Sequence, residues 1–445
     1  MIKPLMMRVA SVALLGLGLG WQMTAQAVPS YSRQTGDACT ACHVGAFGPQ
    51  LTPHGIAFKL SGYADSNGSK SLPLSGMLTA TFTNTRKDQA EPAEHYDPNN
   101  NVTFQELSAF IAGKLTDHIG TFTQITYNAV ERTTALDHLD VRYAKEAQVM
   151  GSDKPAIVGL SLNTTPTLQD PFNTLPAFSF PYIGSELASG PDAETLLQTG
   201  LDGRLYGLTA YTLMPNGIYL EAGAYRDQAK KLLDNIENIE PEVKTNGFSP
   251  YGRLAYYKQN RASNYSVGVV AMQSYVRPID AGNSRYDRLT DVGVDAQYQY
   301  LGNRKNIWTA GGSYIHENQK REAAFAAGEA FNNIGHLNSM NINGSYTYDQ
   351  SYGLSLGAFA SNGSADELVY ADNRVHKPNS QGYTVEAAWT PFGKESSWMA
   401  PWANVRLGLQ YTGYTKFNGA KDNYDNSGTN AKDNDTLLGY LWTSW

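Results

Sequence analysis

The sequence has little of what marks several common protein classes. Its formal net charge is only −7 over 445 residues, and no basic run offers a nucleic acid an electrostatic footprint. The mean hydropathy is −0.40, and beyond the N-terminus no apolar stretch is long enough to cross a membrane as a helix. No grouping of serine, cysteine or carboxylate residues indicates hydrolysis, and no long polar linker divides the chain into domains. Six histidines are scattered without the spacing of metal ligands: His95, His118, His138, His316, His336 and His376.

Cysteine occurs only twice, and both copies lie in one motif. Cys39 and Cys42 are separated by two residues, and His43 follows directly. In this pattern each thiol can add to one vinyl group of a porphyrin while the histidine reaches the iron. Thioether formation would consume both cysteines and leave no free thiol to oxidise. The motif therefore predicts one covalently bound haem c, with His43 as the proximal iron ligand.

Three other interpretations of the motif remain open. A disulfide between Cys39 and Cys42 would suit an oxidising compartment but gives no reason for the adjacent histidine. A thioredoxin-like redox pair needs a βαβ context, which the sequence lacks. Zinc held by the two thiols, His43 and His54 would be an unusual structural site without a second cysteine pair.

The N-terminus indicates export. Lys3 and Arg8 precede an apolar run, and Ala25 and Ala27 provide a small-residue cleavage site. The apolar run is too short for a transmembrane anchor. We expect residues 1–27 to be a cleaved signal peptide. Residues 28–72 are rich in turns and too poor in apolar residues for a stable core, so a covalently held porphyrin would stabilise this segment.

The segment around the motif resembles the monohaem cytochrome–porin fusions of iron-oxidising bacteria. The resemblance covers residues 33–63 and departs at His54, where an aromatic residue is expected. It implies a small cytochrome before an outer-membrane barrel that passes electrons from extracellular ferrous iron inward. The matching residues are Arg33-Gln34-Thr35-Gly36, the Cys39–His43 motif, Leu51-Thr52-Pro53, Gly55, Phe58-Lys59 and Gly62-Tyr63.

From Ser75 onward, short stretches alternate apolar and polar residues with a period of two, as strands with unlike faces do. Sixteen such stretches give the even strand number of a bacterial transmembrane barrel. The sequence thus predicts an all-β fold: a 16-stranded antiparallel transmembrane β-barrel over residues 73–445, preceded by the small c-type cytochrome segment. The stretches lie near 75–84, 103–113, 120–131, 136–147, 156–163, 203–213, 217–226, 249–259, 263–275, 289–301, 304–318, 335–348, 351–361, 380–390, 402–415 and 436–445.

Connection lengths favour an outer-membrane barrel over a soluble propeller or sandwich. Tight turns such as 214–217 alternate with long polar segments such as 416–435, and tight turns face the periplasm in such barrels. Trp442 and Trp445 in the last strand suit an interfacial aromatic girdle. A barrel of this size leaves an aqueous lumen, which the cytochrome segment could partly fill. We therefore expect the protein in the cell outer membrane, in contact with its lipid.

Two long loops have features of their own. The run from Gly159 to Tyr182 is punctuated by proline and aromatic residues and could fold into the lumen as a constriction. Loop 227–248 carries apolar residues that could form a short surface helix. Carboxylates in the long loops are best explained as solvated charge, so they predict no iron site.

A low-spin haem needs a second axial ligand, and the sequence offers two candidates. His54 is near the motif, whereas Met77 lies at the base of the first strand. Methionine would raise the reduction potential toward that needed to oxidise ferrous iron, so the sequence favours Met77 over His54.

Two functional hypotheses follow. In the first, the protein is an oxidoreductase that takes electrons from extracellular ferrous iron and passes them to a periplasmic carrier, such as a soluble cytochrome or cupredoxin. Electron export to an external acceptor is its variant. In the second, the protein is a diffusion porin whose haem segment plugs the pore.

Overall fold

The computed structural model describes residues 28–69, 71–149, 153–199, 201, 205–228, 243–278 and 283–445. The predicted signal peptide lies outside these residues, and so does the part of loop 227–248 for which a surface helix is predicted. Within the described part of the chain, no helix is long and apolar enough to span a membrane.

One antiparallel sheet in the described part of the chain contains seventeen strands. One of them, Val243–Thr245, has only three residues and pairs with the end of the strand Ser263–Pro278. The other sixteen form a closed barrel, because the first strand pairs with the last, with Met77 opposite Ser444. The predicted fold class is thereby confirmed for the barrel. The barrel strands are β1 Leu74–Thr85, β2 Asn101–Lys114, β3 Ile119–Asn128, β4 Thr133–Ala147, β5 Ala156–Asn163, β6 Leu205–Leu213, β7 Ile218–Asp227, β8 Ser249–Gln259, β9 Ser263–Pro278, β10 Asp287–Tyr300, β11 Asn306–Lys320, β12 Ile334–Tyr348, β13 Tyr352–Gly363, β14 Ser380–Trp389, β15 Asn404–Lys416 and β16 Thr436–Ser444.

The apolar face of the strands points outward. On β10, Val292 and Val294 are 50% and 49% exposed, whereas Asp291 and Asp295 are 0% and 3% exposed. This arrangement is the reverse of a soluble barrel and suits a lipid exterior around a polar interior. The girdle interpretation holds for Trp445, which is partly exposed, but is wrong for Trp442, which is fully buried against Phe47 inside the barrel.

The two ends of the barrel differ. Most of the tight turns lie at one end of the barrel, here called the turn end. The chain enters the first strand and leaves the last strand at this same end. The opposite, loop end carries the long connections, including a helix over Glu322–Ala327 and a 3-10 turn over Ala431–Asn434. Two connections break the alternation: the short turn 129–132 at the loop end and the long segment 390–403 at the turn end.

The N-terminal segment, residues 28–72, occupies the lumen at the turn end. It contains α1 Pro29–Thr35, α2 Cys39–Cys42, a 3-10 turn Val44–Ala46 and α3 Pro53–Leu60. Proline at the first helical position starts α1 and α3, and Thr52 caps α3 by accepting a hydrogen bond from the Gly55 amide. Barrel residues hold the segment from several sides: Asn404 Nδ2 donates to Ala46 O at 2.8 Å, and Arg304 Nη2 donates to Thr40 O at 2.6 Å.

The connection between β5 and β6 also enters the lumen. This inward loop, residues 164–199, includes a 3-10 turn Pro176–Phe178 and the short helix α4 Leu196–Thr199. Thr174 Oγ1 donates to Asp295 Oδ1 of the wall at 2.7 Å, and Gln105 Nε2 donates to Gly184 O at 2.9 Å. Residues 164–182 fold inward, as the constriction interpretation of the run from Gly159 to Tyr182 expects, whereas residues 159–163 belong to β5 of the wall.

Candidate cofactor site

The N-terminal segment, β3 and the inward loop line an open cavity, whose interior and mouth together hold about 790 Å³ of space not filled by protein atoms. Cys39, Cys42 and His43 all lie on its wall, so the motif faces one common space.

The single turn of α2 presents both thiols to the cavity, and both are free and partly exposed. Burial raises the pKa of Cys42 to about 12, and nearby Asp37 adds to this shift; burial also raises the pKa of Cys39. Redox-active cysteines have lowered pKa values, since their thiolates do the chemistry. The environment therefore does not favour the thioredoxin-like interpretation. In the described part of the chain, no three His, Cys, Asp or Glu side chains are grouped to hold a metal ion.

His43 is oriented by the loop that follows it. Its Nδ1 lies 2.6 Å from Gly48 O, and because a carbonyl oxygen can only accept, Nδ1 must carry the proton. The lone pair is then on Nε2, and burial lowers the pKa of His43 to about 4, so the ring stays neutral. Hydrogen bonding of one imidazole nitrogen to a carbonyl is the usual support for a metal-binding histidine.

Aromatic rings form the apolar wall of the cavity. Tyr31, Phe58 and Tyr63 pack together in the N-terminal segment, with ring centroids 4.9 to 5.9 Å apart. Phe122 of β3 and Phe178 of the inward loop complete the wall. Two thiols, one neutral imidazole and flat apolar surfaces around one space fit a covalently attached haem.

Neither candidate for the second axial ligand lies on the described cavity wall. Met77 is fully buried in β1, where its Sδ accepts a hydrogen bond from Trp442 Nε1 at 3.0 Å. His54 is exposed, and its Nε2 lies 2.9 Å from Asp37 Oδ2. The fold thus brings the three residues of the motif to one cavity. It does not bring either candidate for the distal iron ligand to the wall of that cavity.

Lys59 does lie on the wall, and sequence reasoning gave it no role. Its Nζ donates to Leu168 O at 2.7 Å and to Asn173 Oδ1 at 2.8 Å, both in the inward loop. Asn173 Nδ2 in turn donates to Pro49 O at 2.9 Å, next to the carbonyl that orients His43. The inward loop is therefore joined to the histidine loop through two side chains. No local pattern marks Lys59, because its partners lie more than a hundred residues away.

Two buried arginines fix these parts to the barrel. Arg142 of β4 bonds Asp140 at 2.7 Å and also donates to Lys59 O and Gln169 O, thereby joining wall, N-terminal segment and inward loop. Arg253 of β8 pairs with Asp295 of the wall at 2.9 Å and with Asp170 of the inward loop at 3.2 Å.

No model of a known protein family matches the sequence, and no curated protein matches it. Solved outer-membrane proteins with a similar fold include OmpT of Vibrio cholerae, at 9% identity and a TM-score of 0.43, with 84% of this chain and 96% of that chain covered. Salmonella typhi OmpF in complex with daunomycin has 11% identity and a TM-score of 0.46, covering 84% and 97%. An anion-selective porin from Comamonas acidovorans has 11% identity and a TM-score of 0.45, covering 84% and 98%.

The closed sheet, its apolar exterior and its polar interior satisfy what a bilayer demands of a spanning protein, since every strand is paired and no edge meets lipid. The chain is an outer-membrane barrel, and the predicted localisation is confirmed.

Proposed function

We propose that the protein is an outer-membrane electron conduit that holds one haem c, takes electrons from extracellular ferrous iron and passes them to a periplasmic carrier such as a soluble cytochrome or cupredoxin. The observation that carries the proposal is the cavity onto which Cys39, Cys42 and His43 converge. The choice of ferrous iron rests on the resemblance of residues 33–63 to the cytochrome–porin fusions.

In this proposal each residue of the cavity has a role that follows from its position. Cys39 and Cys42 anchor the porphyrin through thioethers, and His43 Nε2 binds the iron while Gly48 fixes the imidazole plane. The bound group supplies reversible one-electron transfer. Phe122, Phe178 and the Tyr31 cluster keep water from its faces, and the barrel holds the whole site in the membrane with every strand paired.

The site lies toward the turn end, which suits electron exchange with a soluble carrier. Asp37 and His54 are exposed beside the cavity-forming helices, and Arg304 of a tight turn donates to Thr40 within the motif. With tight turns on the periplasmic side, the motif would be on the side where a soluble carrier diffuses. Electron export to an external acceptor would use the same site in the opposite direction.

A second candidate is a diffusion porin whose N-terminal segment plugs the pore, which the sixteen-stranded barrel supports because a barrel of this size can enclose a channel. Burial of lumen residues such as Arg142 and Arg253 beneath the N-terminal segment and the inward loop is compatible with such a plug.

The test uses purified full-length protein. Haem peroxidase staining after denaturing electrophoresis should be retained and should be lost in Cys42→Ala, whereas Thr40→Ala keeps both thiols and should retain the stain. Mixing the native, haem-loaded protein with ferrous iron in the absence of oxygen should reduce its haem. Sugars should not permeate proteoliposomes that contain the protein. Absence of staining would overturn the proposal. Rapid sugar permeation with no reduction would favour the porin.

A further inference from the structure

We propose that Lys59 supplies the second axial ligand of the haem iron through its Nζ nitrogen. The inference rests on the proposed attachment of haem at Cys39 and Cys42, but not on the identity of the electron donor.

The first argument is position. Lys59 lines the same cavity as the motif, and its helix α3 lies directly on the cysteine turn. A Cβ added at Gly55 of α3 would be only 2.3 Å from Cys42 O, so no side chain separates the two elements there. Lys59 follows Gly55 by one turn of helix, and only 6% of its surface is exposed.

The second argument is charge. Both acceptors of Lys59 Nζ are neutral amide oxygens, and no carboxylate of the described chain forms an ion pair with it. Burial of an ammonium is costly, and a buried lysine relieves that cost by losing its proton. Burial, with the nearby Arg142, lowers the pKa of Lys59 to about 7, although the carboxylates of Asp140, Asp170 and Glu221 act in the opposite direction.

The third argument is hydrogen-bond geometry. A neutral amine has two N–H groups and one lone pair, and Leu168 O and Asn173 Oδ1 accept two hydrogen bonds. The centroid of the Phe178 ring lies 4.5 Å from Nζ. A neutral Lys59 would thus have both donors satisfied and keep its lone pair for a metal.

The fourth argument is the lack of a rival side chain on the described wall. The phenols of Tyr31 and Tyr63 donate to Thr121 O and Asp140 Oδ2. Met77 Sδ is bonded to Trp442, and His54 is paired with Asp37. Besides His43 and the two thioether-forming cysteines, Lys59 has the remaining amine or sulfur side chain among the lining residues. Cleavage of the expected signal peptide after Ala27 would add the α-amino group of Val28, which also lines the cavity, and a low-spin spectrum that persists in Lys59→Ala would point to that amine instead.

The experiment uses the haem-loaded full-length protein and its Lys59→Ala and Lys59→Arg variants. Arginine keeps a long cationic donor but does not bind iron, because it stays protonated. Peroxidase staining shows whether haem is attached, and resistance of the barrel to detergent before heating shows whether it is folded. Absorption, electron paramagnetic resonance and near-infrared magnetic circular dichroism then report the axial ligands of the ferric form.

We expect the wild type to be low-spin with the signature of histidine and amine ligation and without a methionine-to-iron band. Lys59→Arg and Lys59→Ala should retain haem but become high-spin, and added imidazole should restore the low-spin state in Lys59→Ala. Met77→Leu and His54→Ala should leave the spectra unchanged.

A low-spin spectrum that persists in Lys59→Ala, a high-spin wild type, or loss of low-spin character in Met77→Leu or His54→Ala would overturn the assignment. In those cases retained staining would leave the proposed function intact. Loss of staining in the wild type would instead remove the haem itself and the proposed function with it.

Discussion

At the scale of single residues, the absence of a side chain at Gly55 decides how the motif is packed. The position for its Cβ is 2.3 Å from Cys42 O and 3.1 Å from Leu51 Cδ2. The nearer atom belongs to the backbone, so it cannot rotate away as the end of a flexible side chain could.

Gly55→Ala should therefore push α3 off the cysteine turn, at an overpacking cost of about 1–3 kcal/mol. We expect less haem staining per folded barrel than in the wild type, measured by densitometry on the same gel. Gly190→Ala is the matched control, because nothing lies within 4 Å of its Cβ position. Equal staining in the two variants would contradict this account of α3.

Arg142 carries a second prediction at the same scale. Arg142→Met leaves the fully buried Asp140 without its cationic partner and removes the bonds to Lys59 O and Gln169 O. Breaking a buried ion pair costs roughly 3–5 kcal/mol. Unfolding by urea in detergent should shift to lower concentration, and the double variant Arg142→Met with Asp140→Leu should recover part of the loss. No shift in the single variant would show that the pair is not buried in solution.

The sequence identified Cys39, Cys42 and His43 because their chemistry depends on spacing along the chain. It did not identify Lys59 or Phe122, since their place on the cavity wall comes from contacts between distant parts of the chain. His54 is a candidate because it is near the motif, and Met77 because it lies at the base of the first strand and would raise the reduction potential. The structure places both away from the wall.

At the scale of elements, the strands were predictable because one face meets lipid and the other does not, which imposes a period of two. The inward loop was harder, since its proline and aromatic residues fit either a surface loop or a constriction. The contacts of the loop with the wall, such as the ion pair of Asp170 with Arg253, could not be predicted from the sequence. A polar residue that faces the lumen gives the same alternating sequence pattern whether it contacts water or a buried partner.

Asp170 holds the inward loop in two ways. It accepts hydrogen bonds from the amides of Phe172 and Thr174 and pairs with Arg253. Asp170→Ala should loosen the loop, so we expect a larger and noisier single-channel conductance in planar bilayers. Asp425→Ala is the control, since Asp425 accepts from the amides of Ser427 and Thr429 in the 416–435 loop. Equal conductance in both variants would mean that the loop does not limit the pore.

The inward loop should also respond to pH through Glu186. Burial raises its pKa from 4.5 to about 7, although Asn128 donates to it. Because its pKa is raised, the neutral form of Glu186 stabilises the inward loop in its position against the barrel wall. This stabilisation is fully present below the ordinary pKa and is lost as the pH rises through 7. Conductance should therefore increase between pH 5 and pH 8, and Glu186→Gln should flatten the change. If Glu186→Gln left the pH dependence of the conductance unaltered, that dependence would belong to another titratable group.

At the scale of the whole molecule, the position of the N-terminal segment fixes which end must face the periplasm if a soluble carrier is to reach it. Ser427→Cys at the loop end should react with an impermeant maleimide on intact cells. Glu395→Cys, in the long segment at the turn end, should react only after the outer membrane is disrupted. Wild-type protein provides the background from Cys39 and Cys42, and the reverse labelling would invert the orientation.

The closure of the barrel imposes an order of events in biogenesis. Gly76 of the first strand exchanges backbone hydrogen bonds of 2.8 and 3.0 Å with Trp445, which follows the last strand. The ring therefore cannot close until the C-terminus has been made and exported. The cavity wall, built from α1, β3 and the inward loop, is completed only in that closed ring. Under the proposed function, an attachment enzyme would meet Cys39 and Cys42 on an open chain before closure and within a walled site afterwards. Attachment of haem between export and insertion would therefore be the less obstructed route.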